Sequence, residues 1–348
     1  MNYGISVLFR AIPLVMAAFC FSYGAYILAA GNDLSRLTAG PVIFFLGSIC
    51  VALYTTASTI IRQLIGTYTT AAKYILPMIG YAFALMTIIC GLFIIPAGDP
   101  GSYVAGHVVC GLGLITTCVA TAATSSTRFV LIPRNSEKPD FSPNPAGFSA
   151  NQVQVLTGLA VLVSAIAWIW CICLFAVSNS PKHFVAGSVI LGIACVCTSL
   201  IALVASIARQ VRGTYSMRER GMWMGLVLLM GAVAFVFGLV MIFVHWGETV
   251  NFVGFVLIGL ALICWSISSK VILLAKIWHN TFKLASRIPI IPVVTALACL
   301  FLGAFLFEEA LFKAKYFVPA RVLMGFGAIC FTLFSIVSIL ESGTSKKA

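Results

Sequence analysis

Charge is what this sequence has least of. Only 9% of its 348 residues are Asp, Glu, Lys or Arg, against 61% hydrophobic residues. A soluble domain carries about a quarter charged residues, so a chain this apolar has no polar shell to wrap around one core. Acidic residues are the scarcer sign, nine against 21 Lys and Arg. The net charge of +12 does not point to nucleic acid, because the basic residues are spread along loops between apolar stretches. No HExxH, GxSxG, P-loop or CxxC motif occurs. No pair of carboxylates lies inside an apolar stretch, and only Glu341 and the outer Glu308–Glu309 pair come near. The chain therefore reads as no enzyme, with no cofactor and no metal site. The twelve cysteines lie almost all within apolar stretches. Pairs such as Cys171 and Cys173 are two apart, about 200° round a helix, and read as small packing residues.

Long apolar runs are what the chain has in abundance. Met222 to Val244 contains no charged residue, and a run of that length exceeds the roughly 20 residues needed to cross a bilayer. Ten such spans are expected, at about 7–30, 38–62, 74–96, 103–131, 153–177, 184–208, 221–245, 252–276, 288–308 and 317–340. The fold class is all-α, a polytopic membrane protein with membrane lipids as its solvent. The first span opens on Arg10 to Pro13 (RAIP), which echoes Arg287 to Pro289 (RIP); it reads as the first of a series and not as a removable leader. Connections are short except for 133–152, whose four prolines among polar residues predict a surface loop. With the N-terminus in the cytoplasm, 16 Lys and Arg fall on the cytoplasmic side and 5 on the outer side. The positive-inside rule then places both termini in the cytoplasm.

A repeat organises the spans. A valine stands near the start of each even span, at Val42, Val108, Val189, Val256 and Val322, separated by 66, 81, 67 and 66 residues. The long interval contains the 133–152 segment. Eight residues past the valine stand Cys50, Thr116, Cys197, Cys264 and Cys330. Two copies share an exit, Arg62-Gln63 to Gly66-Thr67-Tyr68 and Arg209-Gln210 to Gly213-Thr214-Tyr215. The chain is thus one transmembrane domain of five helical hairpins, about 1–68, 69–134, 150–215, 216–282 and 283–348. All enter the membrane in the same sense, as parallel repeats do. They either close into a pseudo-fivefold ring or form an open row.

Windows of 21 residues from the five valines hold 22 Ser and Thr, and matching windows in the odd spans hold 5. A hydroxyl gains nothing from lipid, so the even helices are expected inside and the odd ones against lipid. Thirteen residues past the valine stand Thr55, Thr121, Ala202, Ser269 and Ser335, and twenty past it Arg62, Arg128, Arg209 and Lys276. One reading makes the hydroxyls the wall of a pathway with a cationic cytoplasmic mouth, favouring a small anion. The other makes them packing groups and the cations interfacial anchors. Lys270 lies about two turns inside its span and has no charged counterpart in the other copies. It is either a pathway residue or a snorkelling one. His107 and Arg321 share a column near the outer ends, with Glu308 and Glu309 as expected partners for Arg321.

The phrase AGHV (Ala105 to Val108), the stretch RIPIIPV (Arg287 to Val293) and the run CFTLFSIVSILESG (Cys330 to Gly343) resemble the YhiM family of bacterial inner membrane proteins along the whole chain. The resemblance implies an inner membrane location and a part in survival of acid stress. It brings no catalytic activity and no set of functional residues. The function expected is a channel or transporter for a small ion or solute in stress tolerance, or else a non-transporting scaffold or lipid-binding protein that responds to pH.

Overall fold

The computed structural model describes residues 3–31, 33–132, 140–143, 146–177, 180–244, 250–279 and 287–344. Ten long helices carry the fold: α1 (Tyr3–Ala29), α2 (Leu34–Leu64), α3 (Thr70–Ile94), α4 (Pro100–Ser125), α5 (Ala150–Ala176), α6 (Pro181–Val211), α7 (Met217–Phe243), α8 (Val253–Trp278), α9 (Ile290–Ala310) and α10 (Phe317–Thr344). All ten are long and apolar enough to span a membrane. Their starts are written locally. Ser149 with Gln152, and Ser216 with Glu219, form capping boxes at α5 and α7, satisfying N–H groups that the first turn leaves open. Asp99 accepts the Ser102 N–H at 2.8 Å to open α4; the Ser102 hydroxyl and N–H hold its carboxyl below the usual carboxylate range.

The shared exits are one turn used twice. Gly66 and Gly213 have φ of 73° and 70°. Their N–H groups bond to Gln63 and Gln210, and those of Thr67 and Thr214 reach back to Arg62 and Arg209. This pair of hydrogen bonds closes the helix C-terminus and needs a left-handed residue, which glycine supplies without strain. The fourth span departs from the expected 103–131. Helix α4 stops at Ser125, and Phe129–Ile132 (β1) pairs antiparallel with Asp140–Pro143 (β2), Phe129 facing Pro143 and Ile132 facing Asp140. Pro133 biases the residue before it toward extended backbone, so the end of that apolar run is drawn into a small hairpin instead of the helix. Residues 133–139 and 144–145 of the expected loop, with Arg134 and Lys138, lie outside the described residues, as do His245, Lys283, Lys346 and Lys347.

The helices sort into two layers. Between 72% and 89% of each even span is buried, against 22% to 33% of each odd span. Around the inner layer α2 packs on α4, α4 on α6, α6 on α8, α8 on α10, and α10 returns to α2. The cycle closes. Each odd helix packs along the even helix that follows it and also touches the even helix before it, with α1 reaching α10. The outer helices therefore fill the grooves between inner ones and meet lipid on their other side.

Glycine sets how closely these helices approach. A methyl on Gly254 would sit 2.4 Å from the Gly238 carbonyl oxygen, so α8 and α7 touch backbone to backbone. Gly40 with Gly24 and Gly106 with Gly91 make the same contact between α2 and α1 and between α4 and α3. A second glycine column joins neighbouring inner helices. Gly111 is filled by Ile193, Gly192 by Leu260, Gly259 by Phe326 and Gly325 by Leu46, each within 2.4 to 2.6 Å of where a methyl would stand. Four of the five seams thus use one interlock, and the last of them joins the end of the chain to its beginning. In the α2–α4 seam the corresponding residue is Phe45. Lipid offers no hydrophobic drive for helix association, so such close packing carries the stability. Gly254→Val is therefore expected to lower the melting temperature of the purified protein more than Gly192→Ala, whose neighbours are flexible leucine ends. Overpacking costs about 1–3 kcal/mol. Equal melting temperatures for the two variants would refute the backbone contact as the controlling one.

Candidate functional site

The residues facing the axis of the inner cycle follow a strict spacing. Counted from the five valines, they fall at −4, 0, +4, +7, +11 and +14. Steps of four, four, three, four and three average about 3.6 residues, so the six positions form one straight stripe along an α-helix, here shared by five helices of one chain. Thr38, Val104, Val185, Phe252 and Val318 form the first layer, and the five valines form the second. Leu112, Ile193, Leu260 and Phe326 follow them. Together they line a cavity of about 700 Å³ at the N-terminal ends of the even helices, with Ser35, Ser180, Lys182 and Lys315 nearer its mouth.

Beyond that floor the axis is filled. Ile49, Ile115, Val196, Ile263 and Ile329 make one layer and Leu53, Val119, Leu200, Ile267 and Leu333 the next. With Thr56, Ala122, Leu203 and Lys270 they leave a void of only about 20 Å³, room for roughly one water. Lys270 is 2% exposed. Among the described residues it makes no hydrogen bond or ion pair, and its neighbours around the void are apolar apart from Thr56. It stands ten residues past the vestibule floor, about 15 Å along the helix.

The hydroxyl column lies elsewhere. Thr121 meets Tyr81 of α3 at 3.1 Å, and Ser335 donates to the Phe9 carbonyl of α1. Thr55 and Ser269 donate to carbonyls of their own helices, at 2.7 and 2.6 Å. Thr87 of α3 to Ser48, and Ser164 and Trp168 of α5 to Thr198, add bonds of the same kind between layers. These hydroxyls face the joint between inner and outer helices. The reason is angular. Thirteen residues turn a helix by 220° net, leaving the hydroxyl column about 140° from the axis-facing valines.

The cations also separate. Arg209 makes an ion pair with Glu219 of α7 at 2.7 Å, and Arg62, Arg128 and Lys276 stand at the C-terminal ends of even helices or just past them, outside the axial void. Two glutamines close that end instead. Gln63 donates to the Ser126 and Thr127 carbonyls, and Gln210 to the Leu274 carbonyl, so Gln63 ties α2 to the end of α4 and Gln210 ties α6 to α8. Arg10 donates to the Tyr54 hydroxyl at 3.0 Å. Arg321 does not pair with Glu308 or Glu309. Its guanidinium lies 3.4 Å from the Phe317 ring centre and 4.7 Å from that of Phe307, and it donates to the Phe317 carbonyl. Glu309 faces Lys313 instead, at 3.9 Å, one turn along its own chain, and Glu308 is exposed. His107 is 7% exposed, wedged against Tyr103 and Trp170 with neither ring nitrogen bonded. It lies between α4 and α5, off the axis.

Of the expected site residues, Lys270 alone reaches the axis. The signal that would have found its companions is the valine column itself, extended in steps of four and three. An unpaired ammonium among aliphatic side chains is costly. Lys270→Met, which keeps volume, is expected to stabilise the purified protein by about 1–3 kcal/mol, seen as a raised melting temperature. A lowered one would reveal a partner that the ammonium holds.

Comparison with known proteins places this architecture. A family model described as "Protein of unknown function (DUF2776)" matches residues 1–345. The chain is 42% identical, over 351 residues and 100% of both chains, to "Inner membrane protein YhiM" of Escherichia coli (strain K12). That relative and the ten apolar helices support a multi-pass location in the inner membrane. The chain belongs to the DUF2776 family and, as its motifs implied, to the relatives of YhiM.

Proposed function

We propose that this protein is a channel or transporter for a small anion, built as five hairpins in pseudo-fivefold order and held closed by an apolar constriction on the axis. The observation that carries the reading is the placement of Lys270. A lone cation on the shared axis of five parallel helices, behind aliphatic layers and in line with an open vestibule, costs stability and serves no packing purpose. Apolar constrictions of this kind gate by excluding water. The positive-inside distribution puts the vestibule on the outer face and both termini in the cytoplasm. We assign that activity to acid-stress tolerance, the role that the family resemblance implies.

A second reading rests on the filled axis. The two complete aliphatic layers leave almost no void, as a non-transporting scaffold or lipid-binding protein would have. The two readings part on what happens when the plug is made polar. Ile263→Ser is expected to raise chloride or iodide flux into proteoliposomes at least about tenfold over the parent, since a polar layer admits water. Lys270→Glu in that background is expected to shift the preference from anions to cations. No flux in the parent, in Ile263→Ser or at acidic pH, across a panel of ions, would leave the scaffold reading. Thiol labelling gives a cheaper check. In a background without reactive cysteines, a water-soluble reagent is expected to modify Val189→Cys in the vestibule and to leave Ile263→Cys untouched in the closed state.

A further inference from the structure

The outer vestibule has the form of a ligand site in its own right. Its volume of about 700 Å³ falls within the range of small-molecule pockets. Its wall is aliphatic through the −4, valine and floor layers, except for the aromatic Phe252 and Phe326 and the hydroxyl of Thr38. Charge enters only near the mouth, as Lys182 and Lys315. Neither makes an ion pair among the described residues. The Lys182 ammonium lies 4.9 Å from the Tyr103 ring centre, and that of Lys315 5.6 Å from Tyr316.

Of the described acidic residues at this end, all but the exposed Glu308 are already engaged. Asp33 pairs with Arg36 at 2.8 Å, Asp99 caps α4, and Glu309 faces Lys313. Two ammonium groups therefore stand over an apolar well. A simple inorganic anion would be held at the mouth and gain nothing from the well. An alkane would fill the well and gain nothing from the lysines. From Lys182 to the floor at Ile193 is eleven residues, about 16 Å of helix. An extended alkyl chain of about a dozen carbons spans that depth.

We infer that the vestibule binds a medium-chain aliphatic carboxylate, its carboxylate between Lys182 and Lys315 and its chain against Val189, Val256 and Phe326. The site shares the vestibule with the proposed pathway but does not depend on conduction.

Binding of tritiated decanoate to the full chain in phosphatidylcholine nanodiscs, against empty nanodiscs, tests it without reading flux. One saturable site per chain is expected. Lys182→Ala/Lys315→Ala should weaken it by at least about tenfold, the worth of a charge-assisted contact. The same double variant should leave displacement of a fluorescent alkane probe by 1-decanol unchanged, which shows the well still folded. Val256→Trp, which fills the well, should abolish both. Decyltrimethylammonium should displace decanoate poorly. Binding no greater than to empty discs overturns the inference. So does equal displacement by the cationic amphiphile, an affinity indifferent to the two lysines, or a co-purified lipid that decanoate does not displace. Loss of flux in the conduction assays would leave these readouts unmoved, so the two proposals fail separately.

Discussion

Everything in this molecule depends on how closely its helices are allowed to approach. In water, apolar surface would drive them together; in lipid it does not. The glycines that bring α7 onto α8, and each inner helix onto its neighbour, replace that missing drive with contact at the limit of atomic radii. The interlock of Gly325 with Leu46 joins the last inner helix to the first, so the closure of the cycle rests on the same device as its other seams. The α2–α4 seam alone lacks the glycine and has Phe45 in its place.

Once the cycle is closed, the direction of every other side chain has a consequence. Aliphatic residues at steps of four and three meet on the axis. The hydroxyl column points to the outer helices, where its members bond to carbonyls of their own turn, to Tyr81 or to the Phe9 carbonyl, and Thr198 bonds to Ser164 and Trp168 of α5. Backbone polarity is thus satisfied within the helices, as an environment without water requires, while a few buried side chains, His107 and Ser266 among them, stay unbonded. Beyond the vestibule the axis is lined by apolar side chains except for Thr56 and Lys270.

Much of this was legible from the residues. Ten spans, the inner position of the even helices and the singular character of Lys270 all follow from hydropathy, Ser and Thr content and the valine register. The hydroxyls were placed inside for a sound reason, the cost of exposing them to lipid, but inside a two-layer wall has two meanings. The angle between Val42 and Thr55 separates those meanings, and only a closed cycle says which face is the axis. The pairing expected for Arg321 failed because its guanidinium is held on the ring faces of Phe307 and Phe317 and by the Phe317 carbonyl. The end of α4 was misplaced because an apolar run before a proline suits a strand as well as a membrane span.

The five inner helices belong to one chain, and this changes what a central position can hold. In a ring of five identical subunits, any residue on the axis appears five times. Five ammonium groups crowded around one line would repel one another far beyond the cost of burying one. Joining the helices covalently removes that multiplication. Thr56, Ala122, Leu203 and Ile336 occupy the positions that four more lysines would take, and a single positive charge becomes possible where symmetry alone would permit five or none.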